Sequence, residues 1–181
     1  MMNSAELYEL ALDNEKKGNY RIAIELLEKA HRNDTSFLIL NSLARLYHRE
    51  KEITIARKLY KSILLDNPFF IESIVNLSLL ECNEGNHIKA LRTIKLSFFI
   101  KNKSFKQEEL ISNAVTKIFA ANRLYKEAIN ILKKQIKLQP TSSKLANYAY
   151  LNYYENNLSK SVRAQSLSIE NAFRVNNIRF S

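Results

Sequence analysis

Three histidines and one cysteine are the residues best able to make or break bonds here, and their spacing does not support it. His31, His48 and His87 give no two-histidine metal spacing on one helix, and no HExxH pattern occurs. Cys82 is single, so an intrachain disulfide and a cysteine cluster for zinc are both excluded. No GxSxG elbow, P-loop or dinucleotide fingerprint is present, and the two glycines in the chain cannot build a phosphate cradle. Neither an enzyme nor a cofactor, metal or small-molecule substrate is therefore expected. The chemistry on offer is recognition. Arg45 and Arg49 stand one helical turn apart with His48 beside them, and paired guanidinium groups fork onto carboxylates through directional, charge-assisted hydrogen bonds. Asn41, Asn76, Asn113 and Asn147 supply amides that both donate and accept, matching a peptide backbone whatever its side chains.

Such side chains must be held by something, and composition says that it is helix. With two glycines and two prolines in 181 residues, the chain lacks the turn residues of a β-rich or loop-rich fold. At 46% hydrophobic and 25% charged, it is an ordinary folded chain, long enough for a continuous core. The net charge of +10 is uneven: residues 1–104 carry 16 Lys and Arg against 13 Asp and Glu, whereas 105–181 carry 12 against 5. A basic C-terminal half favours acidic partners. The first dozen residues show no basic or apolar leader pattern, and the longest apolar runs, such as Ser97–Ile100, are too short to span a bilayer. A cytoplasmic location is expected.

The stretch from Phe37 to Phe70 sets the pattern. Leu40, Leu43, Ala44 and Tyr47 mark one helix, Ala56, Tyr60 and Ile63 a second, and Pro68 closes the pair. The same arrangement appears earlier, with Leu7, Leu10 and Ala11, a turn at Gly18-Asn19, then Ala23, Leu27 and Ala30. It appears again with Ile74, Leu77 and Ser78, a turn at Gly85-Asn86, then Ala90, Ile94 and Ser97. Asn67 is expected to cap the third pair, with Pro68 at its first helical position. The rhythm then slips by about four residues around Lys101–Lys106. Ser104 and Gln107 form a capping-box pattern that starts the next helix. Val115, Thr116 and Phe119 pack that helix, and Ala128, Leu132 and Pro140 complete the fourth pair. A fifth pair carries Ala149, Tyr150 and Tyr153, with Val162 in place of the small alanine and Ser166 in place of the large residue. Its second helix, near 158–174, is polar enough to serve as a cap. Both glycines fall at turns inside a pair and both prolines at turns between pairs.

In spacing and residue type the chain resembles the tetratricopeptide repeat family, whose unit is a helix–turn–helix of about 34 residues. The resemblance covers roughly residues 4–174. It implies an all-α fold, a right-handed α–α superhelix of about ten antiparallel helices. The expected organisation is a single domain over 1–175, with repeats near 4–36, 37–70, 71–104, 109–142 and 143–175, and a frayed tail over 176–181. Family members are adaptors, chaperones and assembly factors. Their first helices line a concave groove that holds an extended or helical partner segment.

Carried onto this sequence, the groove comprises Tyr8, Asn41, Arg45, His48, Arg49, Asn76, Asn113, Lys117, Asn147 and Tyr148, with Cys82, Lys144 and Leu151 on its walls. The asparagines are similar to the amide ladders that grip extended chains in some repeat proteins. For Arg45 and Arg49 the alternative is local pairing with Glu9 or Glu72. The family's clamp for a terminal carboxylate is not visible, since Tyr8, Leu12 and Glu72 stand where its basic and amide residues belong. The partner implied is another protein, through an extended or acidic segment. Self-association through the end faces, as part of a larger machine, is an alternative reading that the aromatic C-terminus (Tyr148, Tyr153, Tyr154, Phe173, Phe180) motivates. A further alternative is nucleic acid or an anionic membrane on the basic side of the second helices, where Arg57, Lys58, Lys61, Lys89, Arg92, Lys95, Lys133, Lys134 and Lys137 fall, joined by Lys101, Lys103 and Lys106.

Overall fold

The structure is a computed structural model that describes residues 2–178, with side chains through Ala172 in the final helix. Ten α-helices follow one another: α1 (Ser4–Lys16), α2 (Tyr20–Asn33), α3 (Phe37–Arg49), α4 (Ile53–Asp66), α5 (Ile71–Asn83), α6 (His87–Lys95), α7 (Phe105–Ala121), α8 (Tyr125–Leu138), α9 (Ser142–Tyr154) and α10 (Leu158–Ile178). A 3-10 turn, Leu96–Phe99, extends α6. No strand occurs among the described residues, and no described helix is long and apolar enough to cross a membrane. The helices fall into two compact units, Met1–Glu84 with α1 to α5 and Gly85–Ser181 with α6 to α10. α10 continues to Ile178, beyond the expected end near 174, so residues 176–178 of the expected frayed tail are helical; residues 179–181, Phe180 among them, lie outside the described residues, as does the side chain of Phe173.

One backbone device recurs at every turn inside a pair. Gly18 (φ 81°), Lys51 (φ 65°), Gly85 (φ 76°), Arg123 (φ 57°) and Asn156 (φ 60°) all adopt the left-handed conformation. At four of these turns the following N–H reaches back to a carbonyl in the last helical turn: Asn19 to Asn14, Glu52 to Tyr47, Leu124 to Phe119 and Asn157 to Asn152, at 2.8–2.9 Å. This is the Schellman geometry, which satisfies the helix's orphan carbonyls. Glycine adopts it without strain, and asparagine tolerates it. Lys51 and Arg123 do not share that tolerance. Lys51→Gly and Arg123→Gly should therefore each stabilise the protein by about 1 kcal/mol, read as a higher denaturant midpoint with an unchanged slope. A fall in either midpoint would count against the strained-turn account.

The same turns set the register of the core. Five residues beyond each left-handed position stand Ala23, Ala56, Ala90 and Ala128, all without solvent exposure. A residue without bulk there lets neighbouring helices approach closely. In the fifth pair the equivalent residue is Ser161, buried and donating from Oγ to the Ala149 carbonyl at 2.9 Å. This corrects the expectation for Val162, which is 63% exposed. In unit one, Leu7, Leu27, Ile39, Leu43 and Leu46 pack together, and Tyr60 closes a second cluster with Ala44, Leu77 and Leu80. In unit two, Ile94, Ile111, Val115, Ile118, Leu132 and Leu151 are fully or almost fully buried.

Helix starts follow local chemistry. Ser104 and Gln107 form the expected capping box, each side chain bonding the other's backbone N–H, and Asn3 with Glu6 makes another. Asn67 and Pro68 depart from expectation. Asn67 ends α4, and its Oδ1 accepts from the Phe69 N–H at 3.3 Å. Pro68 sits in that turn, and α5 begins only at Ile71. Asn19 occupies the N-cap position of α2, but its side chain makes no capping bond there.

Candidate partner-binding surfaces

In unit one, the first helices α1, α3 and α5 are tied side by side by polar contacts. Tyr8 Oη lies 3.3 Å from Ser42 Oγ. Asn41 is buried, and its Oδ1 accepts from Ser73 Oγ at 3.0 Å and from Asn76 Nδ2 at 3.2 Å. The expected pair of arginines is present and already engaged. Arg45 forks onto Glu15, with Nη2 donating to Oε2 at 2.7 Å and Nη1 donating to Oε1. Arg49 places Nε 3.8 Å from the same carboxylate, donates from Nη1 to Tyr20 Oη at 3.0 Å, and lays its guanidinium 5.3 Å from the centre of the Tyr20 ring. Glu15, not Glu9 or Glu72, is their partner here. Its side chain is only 11% exposed, so an incoming carboxylate would have to displace an internal one. His48 is half-buried on α3 and engaged within the fold.

Unit two repeats the amide arrangement on α7 and α9. Asn113 Oδ1 accepts from Ser143 Oγ at 2.8 Å and from Asn147 Nδ2 at 2.7 Å. The four asparagines thus form two pairs, each completed by a serine four residues before the donor asparagine in α9 and three before it in α5. In both pairs the acceptor oxygen of the first asparagine is spent internally, while Asn76 and Asn147 keep their own carbonyl oxygens on partly exposed residues. Lys117 is exposed on α7 and engaged by a neighbouring group. Three wall residues turn inward instead. Cys82 and Leu151 are buried, and Lys144 is fully buried with Nζ donating to the Gln139 carbonyl at 3.2 Å and lying 5.5 Å from the centre of the Phe105 ring. A helix turns a residue every 100°, so neighbours of a groove position face the core.

Tyr148 also lines a cavity of about 570 Å³ among α8, α9 and α10. Ile136, Leu145 and Leu167 contribute apolar side chains to the lining, and Lys133, Lys137, Lys160 and Arg163 contribute cations. No carboxylate is among the described lining residues.

Several solved proteins are similar to this chain over nearly its whole length. A thermophilic TPR protein of Thermus thermophilus is similar with a TM-score of 0.74 at 17% identity, over 98% of this chain and 95% of that one. PilF of Pseudomonas aeruginosa gives 0.79 at 16% identity, over 93% of this chain and 76% of that one. PilW, described as a widely conserved type IV pilus biogenesis factor, gives 0.77 at 17% identity, over 92% and 78%. The chain has the tetratricopeptide-repeat (TPR) fold. No protein-family model and no curated protein matches it, and at these identities the TPR likeness establishes architecture alone.

Several contacts on this TPR framework escaped the reading of the sequence. Glu15, Ser73 and Ser143 are the partners that orient the arginines and asparagines, and nothing in their local sequence marks them. Arg57, placed among the basic residues of the second helices, instead donates from Nε to the buried Glu81 at 2.9 Å. Tyr47 Oη donates to Glu28 at 2.6 Å. That hydrogen bond, reinforced by burial, pushes the Tyr47 phenol up to about 12, so it remains a donor at any physiological pH. Among the described residues, no three His, Cys, Asp or Glu side chains come together as a metal site would require.

Proposed function

We propose that the protein is a non-enzymatic interaction scaffold that seats an acidic segment of another protein. The observation that carries this reading is the cavity among α8, α9 and α10, whose lining joins four cations to apolar side chains, with no acidic residue among the described ones. A carboxylate arriving there gains charge-assisted hydrogen bonds without displacing an internal partner, unlike one arriving at Arg45 and Arg49. Tyr148 offers the rigid aromatic surface that interfaces favour. Asn147, held in place by Asn113, supplies a backbone-binding amide on α9. A net contribution of about 0.5–1.5 kcal/mol per hydrogen bond makes it auxiliary to such an anchor.

Photo-crosslinking in the native host tests the assignment. A photoreactive phenylalanine analogue at Tyr148 is expected to capture an acidic partner segment, and one at the exposed Leu65 of α4 is not. Lys133→Glu with Lys160→Glu should reduce capture by about tenfold or more, because charge reversal converts attraction into repulsion. Undiminished capture by a folded double variant would remove the cavity as the docking site.

A further inference from the structure

We propose that the segment from Lys95 to Lys106 is a docking surface for an anionic membrane. It lies where the repeat rhythm gains its extra residues, between α6 and α7. The 3-10 turn and the start of α7 present Leu96, Phe98, Phe99 and Phe105 to solvent, and Phe99 is 74% exposed. Leu96, Phe98 and Phe99 fall within one 3-10 turn, and exposed apolar side chains concentrated in so short a segment mark an interaction site.

The tip is held firmly from beneath. Ser97 is buried and donates from Oγ to the Ile94 carbonyl at 2.7 Å. The ring of Phe98 rests 6.4 Å from that of Phe119 in the core of α7. Lys103 Nζ folds back to donate to the Ile100 carbonyl. These contacts fix the backbone that carries Phe99, so the ring stands out from a rigid turn.

Charge supplies the second half of the surface. From Gly85 to Gln107 the chain carries Lys89, Arg92, Lys95, Lys101, Lys103 and Lys106, and no Asp or Glu. Lys95, Lys101 and Lys106 are exposed, each within a few positions of Leu96, Phe99 or Phe105 along the chain. Aromatic and aliphatic side chains enter the boundary between headgroups and acyl chains, while lysines attract anionic headgroups, and stable attachment needs both signals. Lysine in five of the six cationic positions suits a diffuse field of headgroups. Single-stranded nucleic acid would stack bases on the same rings, but it gains little from the exposed aliphatic Leu96.

The chain contains no tryptophan, so Phe99→Trp installs a single reporter at an exposed position. The full-length variant is mixed with vesicles of phosphatidylcholine containing about 30% phosphatidylserine, and with pure phosphatidylcholine vesicles. Binding to the anionic vesicles is expected, with a blue shift of the introduced indole's emission, several-fold weaker attachment to the neutral ones, and release by added salt. Phe99→Ser should lower the partition coefficient about tenfold while circular dichroism is unchanged. The proposal is overturned by no sedimentation with anionic vesicles, by equal binding to both compositions, or by vesicle binding with an unshifted emission. Binding of polyuridylate in place of vesicles overturns it as well.

Discussion

Arg57→Ala is expected to lower the free energy of unfolding by about 3 kcal/mol, the low end of what breaking a buried ion pair costs. The Glu81 side chain on α5 is 5% exposed, and Arg57 Nε on α4 donates to it at 2.9 Å. Removing the guanidinium takes a charge-assisted hydrogen bond from a carboxylate that sits in a poorly solvated place. The low end of the range applies because the Arg57 side chain is itself 27% exposed, so water can enter where it stood. The pair is not thereby the best solution for stability. Arg57→Leu combined with Glu81→Leu should recover part of the loss, since an apolar pair needs no desolvation of charge while the further contact of Glu81 within the fold is given up. Chemical denaturation of the two variants checks both statements. A loss below about 1 kcal/mol in Arg57→Ala would show Glu81 to be solvated as an ordinary surface carboxylate is.

The helices and their order were legible in the sequence because the features that mark them are local. Gly18 and Gly85 sit at left-handed turns, Ser104 and Gln107 close a capping box, and Ala23, Ala56, Ala90 and Ala128 are the buried crossings. Where a marker was missing, the register was lost. Asn156 takes the left-handed position without a glycine to announce it, so Ser161 was passed over for Val162. Asn67 and Pro68 were read as a helix start, but their side chain and ring instead shape a turn three residues earlier.

The recognition surfaces were legible only in part, because side-chain pairing across helices has no local signature. Arg45 and Glu15 are thirty positions apart and meet only once α1 and α3 lie side by side. The same holds for Arg57 and Glu81, so a count of basic residues on the second helices overstated the charge free for a partner. Conversely, Lys133 meets Lys160 and Arg163 only through the packing of α8, α9 and α10. The charge asymmetry between the halves pointed to that end of the chain, but not to the cavity.

The two asparagine pairs allow one arrangement to be weighed in two environments. Asn41→Ala is expected to cost about 2–3 kcal/mol, and Asn113→Ala less than about 1 kcal/mol. Bond for bond the pairs are alike: each asparagine oxygen accepts from one serine hydroxyl and one asparagine amide. Their burial differs. Asn41 and Ser73 are both buried, whereas Asn113 is exposed and Ser143 partly so. Without Asn41, the Ser73 hydroxyl loses its acceptor in a place that water does not reach, and the full desolvation cost of a polar group appears. Without Asn113, water replaces the lost acceptor for Ser143 and Asn147, leaving only the small net worth of exposed hydrogen bonds. Thermal or denaturant unfolding of the two single variants, with Asn41→Ala/Ser73→Ala recovering part of the first loss, decides the point. Equal destabilisation in both would mean that the amide pairs act through helix geometry and not through burial. The expected inequality makes Asn41 a structural strut and leaves Asn113, with its partner Asn147, the pair that can exchange internal hydrogen bonds for those of a bound chain.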